Sequence, residues 1–423
     1  MLSIRWKVAA MTVGVLAATM GAAATAQMPS SPVQEPVQEP AQEKATVGVS
    51  IVPGIIGPGN GVQGSGSAKW AVIGKYDSSK EGKKVVLQRR SGTSSNWVTD
   101  DKGKIDKKGR VLFAVPKPPS GSPVSYRVDG PGPASTSVST DSWGTDQDFR
   151  DEFGGSKLDL THWQHRQPSY QPTAKRTCAK GDPKAVKVGG GTAQLSVKVD
   201  KERNSLCKPK KPDNPDKIFG KFKYRLNGHI GSTHSSTYGV VAARIKFQPL
   251  QGQHASLWMQ PTYASDSTSA AKQGTEIDII EWFGKDVPNG GLTSFIYAPS
   301  RGGKKIALGG EGGWIKKPEQ YLTNEKDDWY KRYHVFSVEW NPSGYIFRID
   351  GQETGRISKG VSGVPEFPIL SVLSSDYELS KLPDRDEKNN LPQTMTVDWI
   401  RAWQDPKHIV PTATPTHGWT NTP

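Results

Sequence analysis

Between residues 274 and 282 the chain reads Gly274-Thr275-Glu276-Ile277-Asp278-Ile279-Ile280-Glu281-Trp282. On a β-strand successive side chains alternate between faces, so Glu276 and Asp278 share one side while Ile277 and Ile279 pack behind it. Strict alternation would send Glu281 to the apolar side. One extra residue, a β-bulge at Ile279-Ile280, returns it to the acidic face. Three carboxylates lining one site repel one another and lose solvent, which pushes their pKa values apart. That arrangement suits double displacement at an acetal carbon. One ionised carboxylate attacks, a protonated one gives its proton to the leaving oxygen, and a third between them holds or shares a proton. An acidic solvent face on an edge strand, or part of a calcium site, would share the bare spacing. The apolar backing of the strand and the aromatics Trp258 and Trp282 on or beside it weigh against both.

Such a strand needs a sheet to hold it. Apolar runs at Val240–Phe247, Ala255–Met259, Glu276–Phe283, His334–Trp340, Tyr345–Ile349 and Met395–Trp403 read as strands, and Asp350-Gly351 directly after Tyr345–Ile349 is a hairpin signal. No sustained helical periodicity interrupts them. Residues 146–405 are therefore expected to form one all-β domain, a large antiparallel sandwich of the jelly-roll kind. Before it, residues 46–140 carry short β-like runs between turn signals, such as Trp70–Tyr76, Lys84–Arg89, Arg110–Val115 and Val124–Val128, which predict a smaller β-sandwich. That segment resembles the immunoglobulin- or fibronectin-like modules found beside secreted enzymes, and no residue set in it looks catalytic.

The remaining segments bear on location. Arg5 and Lys7 precede an apolar run ending in Ala24-Thr25-Ala26, the pattern of a secretory signal peptide over residues 1–26. Residues 27–45, with proline at every fourth position through the repeat Val33–Pro40, read as an extended linker. Residues 406–423 read as a flexible tail. An exported, extracellular protein without a membrane span follows, expected to be a monomer. In that setting Cys178 and Cys207, the only two cysteines, are expected to pair, because two cysteines without nearby histidine make a poor zinc site.

The landmarks around the carboxylates occur in an order that resembles glycoside hydrolase family 16, in the bulged E-x-D-x-x-E form of laminarinases. Asp151-Glu152-Phe153-Gly154-Gly155, with Leu158-Asp159 and Trp163, resembles the family's opening. Tyr238–Lys246, Leu257-Trp258-Met259, Tyr333–Trp340 with Ile349-Asp350-Gly351, and Val397–Trp403 resemble four later strands. The resemblance implies Glu276 as nucleophile, Glu281 as acid/base and Asp278 as the assisting carboxylate. It makes Trp258 and Trp282 candidates for stacking on sugar rings, each also a possible core filler. Arg244 becomes a candidate partner for sugar hydroxyls or a member of a structural ion pair. The chemistry requires no cofactor, but family members often hold a structural calcium, here implied at Glu152 and Asp398. Two departures loosen the substrate. Tyr297 stands where many laminarinase-like members have histidine, and Ile369–Glu378 replaces the usual penultimate strand.

The implied function is a secreted retaining endo-β-glycanase acting on polysaccharide, with β-1,3-glucan as the leading substrate. A β-galactan or agar-type hydrolase, a transglycosylase, and a non-catalytic wall-glycan binder are the alternatives. The chain's net charge of +14 is uneven: residues 46–140 carry 14 Lys+Arg against 6 Asp+Glu, residues 175–225 carry 15 against 5, and residues 226–423 carry 20 against 21. Basicity therefore belongs to the accessory module and the Cys-bracketed insertion. An anionic wall polymer is the expected partner of those surfaces, and nucleic acid is not, for want of a recognised motif.

Overall fold

Alternation of apolar and polar residues builds both regions. The computed structural model describes residues 47–408, apart from 93, 144–147, 172–174, 264–266, 301–304 and 382–389. The signal peptide, the linker and the tail beyond residue 408 lie outside the described residues.

In the first region, Gly48–Ile56, Lys69–Lys75 and Arg110–Val115 form one antiparallel sheet. Val98–Lys104, Lys84–Ser91, Val124–Asp129 and Val138–Ser139 form a second, in that order. Every second residue turns inward, so Trp70, Val72, Val85, Leu87, Phe113, Tyr126 and Val128 share one buried core. The outer strand Val98–Lys104 is exposed along almost all its length and carries Asp100, Asp101, Lys102 and Lys104. Charges on an edge strand discourage pairing with other chains.

The second region is a two-layered sandwich. One layer runs Lys305–Leu308, Leu292–Pro299, Glu276–Trp282, His254–Pro261, Glu366–Leu373 and Arg225–Ser232. The other runs Ala193–Val199, Gln393–Trp403, Gly239–Lys246, His334–Asn341, Gly344–Ile349 and Gln352–Ile357. The strand Arg225–Ser232 joins them, pairing Asn227 with Val197 near one end and Gly228 with Val372 beyond it. Between the layers lie Phe247, Leu257, Met259, Ile277, Ile280, Trp282, Phe336, Phe347 and Ile400. The expected hairpin is present: Asp350 and Gly351 both have positive φ, 46° and 81°, the geometry of a tight two-residue hairpin turn. This is the all-β jelly-roll architecture. Helix is scarce: Ala270–Gln273 is a single α-helical turn.

The outer face of the second layer is covered by the first region. Val52, Ile55, Ala68 and Ala71 pack on Val240, Ala242, Val335, Trp399 and Trp403 in a common buried cluster. Two glycines make the fit possible. A Cβ on Gly54 would lie 2.6 Å from the Trp403 ring, and one on Gly351 2.8 Å from Ile56. Cys178 and Cys207 are bonded, with Cα atoms 5.6 Å apart.

Candidate active site

The strand Glu276–Trp282 pairs Trp258 with Asp278 and Leu257 with Ile280 on one side. On the other it pairs Asp278 with Phe295 and Glu281 with Thr293. The register slips by one residue between Asp278 and Glu281. This is the bulge that the spacing requires: Ile279 and Ile280 both enter the core, and Glu281 returns to the face of Glu276 and Asp278. The same alternation brings His254, Ser256, Trp258 and Gln260 to that face from one neighbour, and Thr293, Phe295 and Tyr297 from the other.

The three carboxylates sit in different surroundings. Asp278 is buried, and its Oδ2 has no hydrogen-bond partner among the described residues. Burial, followed by the charges of Glu276 and Glu281, holds its pKa well above the usual carboxylate range. Glu281 accepts hydrogen bonds from Thr293 Oγ1 (3.1 Å) and Ser256 Oγ (3.4 Å). Burial raises its pKa also, against the lowering influence of His254 and of the Thr293 bond. Glu276 is the most open, with its Oε2 3.4 Å from Lys305 Nζ and 3.5 Å from Gln260 Nε2. The face thus presents one carboxylate beside a cation and two carboxyls biased toward the protonated form, which is a donor–acceptor pair with a proton held between.

Several polar residues of this face were not picked out from the sequence. His254 Nδ1 meets both oxygens of Glu378, at 3.0 and 2.9 Å, and Ser375 N donates to Glu378 Oε2 at 2.8 Å. Arg166 is fully buried and donates to Gln260 Oε1 at 2.8 Å; its guanidinium lies 5.8 Å from the Trp258 ring centre and 5.3 Å from that of Phe367. Burial pulls its pKa down to about 10. His229, stacked on Trp258 at 6.0 Å, is held well below its ordinary pKa by burial and then by Arg166 and Arg176. His254 and Gln260 were within reach of the alternation rule, since they share the parity of Trp258. Glu378 and Arg166 arrive from outside the central strands, and no local pattern marks them.

Of the expected ligand contacts, Trp258 stands on the carboxylate face, largely covered and donating from its indole to Ser371 Oγ at 3.0 Å. Tyr297 lies directly across from Glu276; burial, then the charges of Asp278, Glu281 and Glu276, raise its pKa. Trp282 does not belong to this face. It is next to Glu281 in the strand and so points the other way, into the core, where its indole donates to Gln248 O at 2.7 Å and stacks on Phe247. Arg244 is also remote from the carboxylates. It lies on the outer face of the other layer, fully buried, paired with Asp398 at 2.5 Å and donating to the carbonyls of Gly57 (2.6 Å) and Gly61 (2.8 Å).

That pairing also bears on the expected calcium position. The Asp398 carboxylate already holds Arg244 and accepts from Gln63 N at 3.0 Å, and Glu152 is bonded to Arg401 at 3.2 Å. Each carboxylate thus gives one oxygen to a guanidinium, Asp398 Oδ2 to Arg244 and Glu152 Oε1 to Arg401, an arrangement that suits structural ion pairs better than a calcium site. Among the described residues, no group of three His, Cys, Asp or Glu is placed to hold a metal ion.

A family model described as "Beta-porphyranase A-D, GH16 domain" matches residues 143–405. Solved structures resemble the fold at low identity. The laminarinase from Rhodothermus marinus has 16% identity and a TM-score of 0.46, covering 61% of this chain and 97% of that one. The laminarinase catalytic domain from Thermotoga maritima MSB8 has 19% identity and a TM-score of 0.44, with 61% and 98% covered. Porphyranase B from Zobellia galactanivorans has 18% identity and a TM-score of 0.42, with 60% and 90% covered. No curated protein is significantly similar in sequence.

Proposed function

The chain belongs to glycoside hydrolase family 16, and from that membership we propose that it is a retaining endo-β-glycanase acting on a galactan of the porphyran or agar type. Glu276 is the nucleophile, Glu281 the acid/base, and Asp278 the carboxyl between them. The observation that carries the proposal is the bulge, which gathers three carboxylates on one face with two of them biased toward protonation.

In the first step Glu276 forms a bond to the anomeric carbon as the bond to the leaving sugar oxygen breaks, and Glu281 gives that oxygen its proton. Glu281 is then anionic beside a protonated Asp278, whose proton is available to offset the new charge. In the second step Glu281 takes a proton from water, the water oxygen attacks the anomeric carbon, and Glu276 leaves. Thr293 and Ser256 fix the orientation of Glu281 through both its oxygens.

The galactan reading is supported by the family model, described as a β-porphyranase domain, and by an exposed cation at the carboxylates. Lys305 Nζ lies 3.4 Å from Glu276 Oε2 with its side chain half exposed, and an anionic galactan has more use for such a cation than a neutral glucan has. β-1,3-Glucan stands second, supported by the laminarinase-like spacing and opposed by Tyr297 and the Ile369–Glu378 stretch. Export agrees with the disulfide, and no helix among the described residues is long and apolar enough to cross a membrane.

The test is a panel of porphyran, agarose, carrageenan, laminarin and lichenan, with products sized by mass and Glu276→Gln as the control. The proposal expects oligosaccharides from porphyran or agarose and none from the control. Release from laminarin alone would replace the galactan reading with the glucan one. Release undiminished in Glu276→Gln would remove the mechanism.

A further inference from the structure

Away from the carboxylate face, the accessory sandwich and the second layer form an open groove of about 620 Å³, well within the range that takes a small ligand. One wall comes from the strands Gly48–Ile56, Lys69–Lys75 and Arg110–Val115 and the turn before the last of these. The other comes from Gly344–Ile349 and Gln352–Ile357. Ile73, Leu112 and Ile346 give it an apolar side, while Lys75, Lys104, Lys107 and Lys108 line its module side.

The charges around it do not cancel. Its three carboxylates are already engaged: Glu353 by Arg110 (3.1 Å) and Arg356 (2.9 Å), Glu339 by Arg348 (2.7 Å), and Asp106 by the amides of Lys108 and Arg110 (both 2.8 Å). The four lysines have no carboxylate partner among the described residues. Arg348 supplies a second, separate sign. Its side chain is only 5% exposed, and it spends Nη2 on Glu339. Its Nε and Nη1 are buried without a hydrogen-bond partner among the described residues. A buried guanidinium with two donors unmatched, in the wall of a groove, is short of an acceptor.

We propose that this groove is a second saccharide site, separate from the carboxylates, which takes a sulfated segment of the polysaccharide. Sugar C–H faces pack on the apolar side, one sulfate meets Arg348, and others along the chain meet the lysines. Bare inorganic sulfate would use the cations but not the apolar side, and a neutral glycan would leave the cations unused. Binding here would hold a long polymer to the enzyme while the carboxylate face works on another stretch of it.

The experiment uses the full chain carrying Glu276→Gln, titrated by calorimetry with a sulfated galacto-oligosaccharide and with its desulfated form, at about 50 and about 300 mM salt. The charge-reversed variant adds Lys104→Glu, Lys107→Glu and Lys108→Glu, exposed residues whose change leaves the core intact. The expected result is a salt-sensitive site for the sulfated probe that weakens by at least about tenfold in the charge-reversed variant. That site is absent for the desulfated probe. Arg348→Gln is expected to weaken it further without altering hydrolysis of short oligosaccharides. Unchanged binding in the charge-reversed variant, equal binding of the desulfated probe, or equal competition by inorganic sulfate or by DNA would each overturn the proposal. If the galactan reading of the carboxylate face is wrong, the groove still shows as a lone site that the lysine changes abolish, so the two failures are separate.

Discussion

At the scale of single residues, the proposed chemistry turns on which carboxyl holds a proton. The pKa of Glu281 is raised by burial and held back by His254 and Thr293, and in its proposed role as the acid it must be protonated in the free enzyme. The alkaline limb of kcat/KM then reports its pKa. Thr293→Val removes a hydrogen bond that favours the charged form, so the pKa rises and that limb moves to higher pH, while the acid limb stays in place; a pH profile of the variant checks this. Glu281→Gln is expected to lower kcat by about 10²- to 10⁴-fold, the usual share of a general acid, measured on the same polysaccharide. Glu276, Asp278 and Glu281 were legible because period two and one bulge are strong constraints on nine residues. Trp282 could have been placed by the same rule, since it neighbours Glu281 and must face the core. The partner of Arg244 was not legible: alternation puts it on the outer face, but what covers that face comes from residues 57–63, nearly 190 positions earlier.

At the scale of elements, the carboxylate strand is braced from two directions. The disulfide loop holds the segment after Glu366–Leu373, because Thr177 donates to Asp376 through both its amide (3.0 Å) and its hydroxyl (2.9 Å). Glu378, two residues on, holds His254 beside Glu281. Replacing Cys178 and Cys207 with serine removes a constraint on the unfolded chain of about 3 kcal/mol. The expected outcome is a fall of several degrees in the thermal midpoint, read by calorimetry. The pairing followed from compartment and count, whereas the link from Asp376 to the site depends on a loop with no periodic signal. At the head of the Glu366–Leu373 strand, Glu366 is fully buried, accepts from Thr275 N at 3.0 Å, and has its pKa pushed up to about 8, chiefly by burial. A raised carboxyl favours folding while protonated, so its contribution is complete below its unfolded value near 4.5 and is lost as pH rises toward about 8. Glu366→Gln should therefore flatten the decline in stability across that window, seen by denaturant unfolding at stepped pH values.

At the scale of the whole molecule, the accessory sandwich is joined to the enzyme by a buried seam. Val240, Ala242, Val335, Trp399 and Trp403 are apolar on the face turned away from the main core, and the module covers them. The sequence carried a trace of this. Gly239–Lys246 and the end of the last strand are apolar at consecutive positions, as strands buried on both faces must be, yet nothing local names the covering partner. The division into a basic module and a nearly neutral catalytic region was visible from charge alone. With Arg244 and Arg401 on the carboxylates of Asp398 and Glu152, a chelator should leave the thermal midpoint unchanged; a fall on chelation, restored by calcium, would speak against that reading. The central claim is that Glu276 is the nucleophile of a double displacement. It is tested most directly by mass spectrometry of peptides from enzyme inactivated with an activated 2-deoxy-2-fluoro-β-glycoside of the cleaved sugar. One covalent adduct, on Glu276, is expected. An adduct on Glu281 or Asp278, or full turnover with no adduct at all, would contradict the claim.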